Sequence, residues 1–245
     1  MKPLITTCCA IALTLVPMTF TQASEDKEMT KANIITLQAN QDKAEPLIHF
    51  LSQGVKLVET TEPDTLFWAS ITSQTNPNQS VIFDTFSSEE AQQAHFEGEV
   101  PKALSAQAKA LIVNGWEQGV LPNIQDSHIL AENHTVDVNQ VPTLASVIYF
   151  EAKEDKKGEL NALLKSAKSI VAETEPGTLH WFALDLGEGK FAIVDFFSNQ
   201  EALNAHFNGK VASALQANAE SLVKGGWESI ISNIAHYQVN DILVR

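Results

Sequence analysis

Two stretches decide the fold. The first pairs EPDTLFWAS (62–70) with DTFSSEEAQQAHFEGEVPKALSAQAKALIVNGWE (84–117), and the second pairs EPGTLHWFA (175–183) with DFFSNQEALNAHFNGKVASALQANAESLVKGGWE (195–228). Laid over one another from Asp84/Asp195 to Glu117/Glu228, the copies agree at 18 of 34 positions. Chance would give roughly two, so the chain is an internal duplication. At 245 residues it has room for two units, each of about 100 residues and able to bury a core.

Working outward from these stretches, each unit reads strand, helix, strand, strand, split helix, strand. In the first unit Asn33–Leu37 is a β-branched strand, and Lys43–Val58 carries apolar residues at helical spacing. Thr65–Thr72 and Ser80–Phe86 are strands around the Asn76-Pro77-Asn78 turn. Ser87 or Ser88 caps a short helix over Glu89–Phe96, Val100–Val113 is a second helical run, and Val120–Leu130 reads as the fourth strand. The second unit repeats this with Leu144–Phe150, Lys157–Ala172, Thr178–Asp185, Lys190–Phe197, Gln200–Phe207, Val211–Val223 and Ser229–Val239. The expected domains are therefore 33–130 and 144–243, joined by a polar linker over 131–143. The order β-α-β-β-α-β is the ferredoxin-like plan, an antiparallel sheet with helices on one face. Two such α+β units in one chain can cover each other's bare sheet faces.

Residues 1–23 read as a cleaved export signal: Lys2, an apolar run from Leu4 to Phe20, then Thr21-Gln22-Ala23 ahead of charged residues. That places the mature protein in the periplasm or outside the cell and leaves it no membrane span. A lipid on Cys8 or Cys9 is the rival, though both sit at the wrong end of the apolar run. Cleavage removes both cysteines, and with them disulfides and thiolate chemistry. With 44% hydrophobic and 19% charged residues the composition is globular. The net charge of -14 argues against nucleic acid as a partner, because phosphate binding needs clustered Lys and Arg. Asn133-His134-Thr135 is a formal glycosylation sequon.

Glu-Pro-Gly-Thr-Leu-His-Trp-Phe-Ala (175–183), the strand end Val-Asp-Phe-Phe (194–197) and Glu-Ala-Leu-Asn-Ala-His-Phe (201–207) resemble the antibiotic biosynthesis monooxygenase domain. Glu62–Leu66 and Ala91–Phe96 carry the same likeness in the first unit. The resemblance implies a dimeric α+β barrel, here a pseudo-dimer built within one polypeptide with the units packed sheet to sheet. It also implies a cofactor-independent monooxygenase acting on a small aromatic or quinol compound. The alternative is a non-catalytic small-ligand-binding or structural module of the same fold. Further homo-oligomerisation stays open. The haem-degrading branch is disfavoured, because Ser105 and Gln216 stand where a liganding histidine is expected. Phe86 and Phe197 also replace a common strand-end tryptophan there. No glycine-rich phosphate loop, His-x-x-x-His spacing or Gly-x-Ser-x-Gly elbow is present, so neither a cofactor nor a metal is expected.

The candidate catalytic residues are His95, His206, Asp84 and Asp195. Each histidine lies on a short helix and serves either as a base toward a phenolic proton or as a fastener of the helix end. Each aspartate sits mid-strand, where Asp is disfavoured, and either pairs with that histidine or faces outward. Trp68 and Trp181 are candidate substrate walls or plain core, as are Phe86 and Phe197. His180, opposite Phe67 in the other copy, is the candidate if only one half holds a site. Trp116 and Trp227 are expected to pack against the last strand of each unit.

Overall fold

A computed structural model describes residues 28–135 and 140–245. The expected export signal over 1–23 and part of the expected linker lie outside the described residues. Among the described residues eight strands and seven α-helices follow in chain order. The first half holds β1 (Lys31–Gln38), α1 (Ala44–Thr61), β2 (Thr65–Ser73), β3 (Gln79–Phe86), α2 (Glu89–Phe96), α3 (Glu99–Leu111) and β4 (Ile124–His134). The second holds β5 (Leu144–Glu151), α4 (Lys157–Thr174), β6 (Thr178–Gly187), β7 (Lys190–Phe197), α5 (Gln200–Phe207), α6 (Lys210–Leu222), α7 (Gly226–Ser232) and β8 (Ile234–Val244).

The helices form for the reasons the spacing predicts. Leu47, Leu51, Val55 and Val58 make one buried stripe on α1, and Leu160, Leu164, Ala167 and Val171 make its counterpart on α4. Ser88 caps α2 by accepting from the Ala91 amide, and Asn199 caps α5 through Ala202.

The strands close into one antiparallel barrel in the order β1-β3-β2-β8-β5-β7-β6-β4. Each half contributes four neighbours, and the halves join edge to edge through β2–β8 and β4–β6. The expected α+β barrel is thus a closed one, its halves joined at their edges as well as facing each other across it. A free sheet edge exposes unpaired backbone donors and acceptors, and joining both edges removes that liability. The inner faces still meet across the barrel, where Phe67, Phe83, Phe182 and Phe196 pack with ring centroids 4.9 to 6.1 Å apart. The barrel interior is a packed core, and the helices cover its outside in two further clusters.

Three expected boundaries move. The linker begins later than residue 131, because β4 continues through His134 to pair with β6, placing Ala131 opposite Ala183 and His134 opposite His180. Closure recruits these polar residues into backbone ladders that periodicity alone does not reveal. Val120 is not in a strand: Trp116–Val120 is a π-helical turn and Leu121–Asn123 a 3-10 turn. The last strand starts at Ile234 rather than Ser229, since Trp227, Ile230 and Ile231 have helical spacing and form α7.

The π-turn has a sequence origin. Eight positions separate Trp116 from Ile124, against seven between Trp227 and Ile234, so the first half carries one extra residue. Val120 and Ile230 are buried equivalents, while Leu121 and Ile231 are both exposed. That leaves Gly119 as the insertion, where a Cβ would fall 2.0 Å from the Val113 carbonyl oxygen. A single inserted residue inside a helical turn is the usual origin of a π-bulge, and such bulges are frequent at functional sites.

His180 points into the barrel, away from Trp181. It packs on Phe67, Phe196 and His134, and its Nδ1 lies 2.9 Å from Nδ1 of His134. Burial and the neighbouring His134 push its pKa down to about 3. An unfolded chain takes up this proton near the ordinary histidine pKa and the folded chain does not. The stabilisation is therefore complete above that pKa and is lost as pH falls toward 3. Replacing His180 by Phe, the residue at the equivalent Phe67, removes this slope. Between pH 7 and pH 5 the wild type is expected to lose about 2 kcal/mol more than the variant. Urea titrations at the two pH values check this.

Candidate functional site

On the outer face of β2, β3 and α2, the first half gathers three of the candidate residues. Strand alternation sends Trp68, Ile82 and Asp84 outward toward the helices while Phe67 and Phe83 go inward. His95 on α2 reaches down onto them. Its Nδ1 is 2.5 Å from Glu62 Oε2, and its Nε2 is 3.5 Å from Asp84 Oδ2. Glu62 ends α1 and accepts also from the Thr65 hydroxyl. The result is a buried carboxylate–imidazole–carboxylate line.

The second half repeats it. His206 Nδ1 lies 2.5 Å from Glu175 Oε2, and its Nε2 lies 3.5 Å from Asp195 Oδ2. The glutamates are the functional-looking residues that sequence reasoning missed. The signal was present, since Glu62 and Glu175 are identical between the copies, but Glu-Pro reads most simply as a turn.

The two lines differ in support. Asn33 donates to Asp84 Oδ1 at 2.8 Å, and Gln92 donates to both Asn33 and Asp126. Lys31 pairs with Asp126 at the surface. In the second half Ser146, Leu203 and His236 occupy the equivalent places, so Asp195 lacks the amide donor that Asp84 has, and of these only the Ser146 hydroxyl lies beside it. Burial pushes Asp84 up to about 6 and Asp195 up to about 7, opposed in each case by the adjacent histidine. Burial alone would depress the histidines. The Glu62 hydrogen bond and the Asp84 charge outweigh it at His95, as Asp195 and Glu175 do at His206, so both pKa values are raised.

The first half opens a space beside its line. Asp84, His95 and Trp68 line a cavity of about 360 Å³ whose remaining walls include Ile35, Leu104 and Trp116. Val120 and Leu121 of the π-turn region close its side. Its walls are apolar except at Asp84 and His95, and Asp84 Oδ2 is buried with no hydrogen-bond partner. In the second half the space between α4 and α6, which corresponds to the gap between α1 and α3 and not to this cavity, is about 20 Å³. Trp181, Ile193 and Leu215 are core there, as Trp68, Ile82 and Leu104 are in the first half.

The remaining candidates separate from this cavity. Phe86 packs on the His95 ring at 5.2 Å, and Phe197 packs on His206 at 5.3 Å, so both back their histidines. His180 lies across the sheet in the barrel interior, and the larger space belongs to the other half. Trp116 lines the cavity together with Ile124 of β4, and Trp227 packs in the second helical cluster. Among the described residues no cluster of His, Cys, Asp and Glu is arranged to hold a metal ion, and no helix is long and apolar enough to cross a membrane.

Residues 143–218 match the antibiotic biosynthesis monooxygenase family. The chain is similar in fold to a proposed monooxygenase from Lactobacillus acidophilus, with TM-score 0.72 and 13% identity over 89% of this chain and 97% of that one. A second proposed monooxygenase, from Fusobacterium nucleatum, gives TM-score 0.72 and 16% identity over 89% and 95%. An anthrone oxidase-like protein gives TM-score 0.58 and 14% identity over 89% and 94%. No curated protein matches the sequence.

If Glu62 is what holds the His95 proton, Glu62→Gln moves the His95 titration to lower pH in an NMR experiment and leaves that of His206 in place. Equal movement of both resonances would contradict the assignment.

Proposed function

We propose that this chain, whose second half carries an antibiotic biosynthesis monooxygenase domain, is an exported cofactor-independent monooxygenase of a small aromatic or quinol compound, working from its first half. Each half is read as a ferredoxin-like unit, and the two together as a pseudo-dimer fused in one polypeptide. The observation that carries the reading is the apolar cavity of about 360 Å³ with one polar end, made by Asp84 and His95. Mainly apolar clefts of this size with a few convergent polar groups are the usual form of small-molecule sites.

The chemistry follows from the pair. Asp84 Oδ2 is a buried carboxylate oxygen without a donor, attached to a group whose pKa stands near 6. It is placed to take a proton from a substrate hydroxyl at neutral pH. His95, held protonated between Glu62 and Asp84, supplies a fixed positive charge beside the anion that forms. The role of base thus passes from the histidine to the aspartate, with the imidazole as its electrostatic partner. The phenolate gives one electron to O2, and the two radicals combine to a substrate peroxide. Loss of water leaves one oxygen in the product. A hydroquinone becomes a hydroxyquinone and one water, all four electrons coming from the substrate. The dry walls keep water from the radical pair.

A binding role without turnover is the second reading. The second half favours it, because it repeats the buried line as Glu175–His206–Asp195 without the amide support that holds Asp84, so the line has structural value in itself. Oxygen uptake with a panel of quinols separates the two. Asp84→Asn or His95→Ala is expected to lower kcat by about 10²–10⁴-fold, and His206→Ala by less than tenfold. Uptake that persists in Asp84→Asn and His95→Ala would remove the catalytic reading. The kcat/KM profile is expected to be bell-shaped. It falls below about pH 6 as Asp84 takes up its proton, and again above the ordinary histidine range as His95 loses its own. Export is tested by amino-terminal sequencing of the mature protein, which is expected to begin at or near Ser24.

A further inference from the structure

A second cavity of about 280 Å³ adjoins the first, lying between α1 and α3. The two share Trp68, Ile82, Val100 and Leu104 as walls. Beyond these the second is lined by Phe50, Leu51, Gly54, Leu57 and Ala103, and the exposed Gln53 stands at its rim. Together the two spaces fall well inside the roughly 300–1,000 Å³ of small-molecule sites. Their polar groups are unevenly spread. Asp84 and His95 lie in the first, and the second has only aliphatic and aromatic walls up to its rim. At the junction stands Trp68, buried, with an indole N–H that has no hydrogen-bond partner.

Gly54 keeps this second space open. It lies inside α1, where glycine is destabilising by roughly 1 kcal/mol relative to alanine, and it does not sit in a conformation that demands glycine. A Cβ there would come within 3.3 Å of Trp68 Cζ2 and Cη2. The other half provides the comparison. Ala167 stands at the equivalent place on α4, and the space it lines with Leu163, Leu164 and Ile170 is about 20 Å³. A helix-weakening residue is retained on the side that has the cavity and replaced on the side that does not.

We infer that the first-half site takes a phenol or quinol bearing an aliphatic tail, with the acidic head at Asp84 and His95 and the tail passing Trp68 into the chamber under Gly54. The inference rests on the proposed function for the identity of the head, and Gly54 is the residue that sets specificity for the tail. A ring alone leaves the second chamber unused. A second polar group there would lose its hydration without finding a partner, whereas each methylene gains by leaving water.

The test is binding without oxygen, by isothermal titration of the full chain with a series of 4-alkylphenols. In the wild type Kd is expected to fall roughly fourfold per added methylene until the chamber is full and the tail emerges at Gln53. Within Gly54→Leu the dependence on chain length is expected to flatten, and Gly54→Ala should give an intermediate slope. Ala103→Leu, which fills the same chamber from the facing helix, should flatten it independently if Gly54→Leu disturbs α1. A wild-type Kd indifferent to tail length would overturn the inference, as would equal slopes in wild type, Gly54→Leu and Ala103→Leu. Tail dependence without oxygen uptake would sink the monooxygenase reading and leave this one standing. Uptake without tail dependence would do the reverse.

Discussion

The structure depends on the closing of two sheet edges. Each half has two edge strands that its own sheet cannot pair on the outer side, β2 and β4 in the first half and β6 and β8 in the second. The ladders β2–β8 and β4–β6 satisfy these edges with backbone hydrogen bonds from the other half. Neither unit is complete without its partner, and the aromatic interior forms only once the ring is closed. Arg245 extends the dependence. It follows β8 and donates to the carbonyls of Val58, Glu59 and Thr65, clasping the end of α1 beside Glu62. The second half thus fixes the loop from which the first half's His95 is held.

Within that frame, two nearly identical buried lines of charge have different surroundings. Taking a carboxylate out of water is costly unless donors or a cation replace its hydration. In both halves the histidine supplies the cation. Only in the first does an amide network, running from Asn33 through Gln92 to Asp126, hold the aspartate from the far side. There Val120 and Leu121 help to wall an apolar space in front of the aspartate, and Gly54 lines the chamber next to it. Duplication allows such a division: the gap between α1 and α3 stays open in one copy, while its counterpart between α4 and α6 is nearly filled in the other.

Much of this was legible in the sequence, and the parts that were not share a cause. The repeat, the strand and helix order, the Ser88 cap and the helical stripes are local patterns, readable because they recur at fixed spacing. The pairing of His95 and His206 with Asp84 and Asp195 was legible as one of two alternatives for a polar residue mid-strand. The extension of β4 through His134 was hidden, because it depends on β6, which lies about fifty residues away. Glu62 was hidden because a turn explains it sufficiently. His180 drew attention as the difference between the copies, yet strand alternation sends it into the barrel with Phe67. The asymmetry that matters lay in smaller marks, one extra residue near Gly119 and a glycine in place of Ala167. Neither is chemically conspicuous, since each acts by removing matter rather than adding a functional group.

The claim at the centre of this account is that two similar halves hold one working site, and its most direct measurement is the ligand stoichiometry of the intact chain. Equilibrium titration with a bound phenol or quinol is predicted to saturate at one molecule per chain, at a position whose contacts in a crystal structure include Asp84, His95 and Trp68. Two molecules per chain, or one seated beside Asp195, His206 and Trp181, would contradict it.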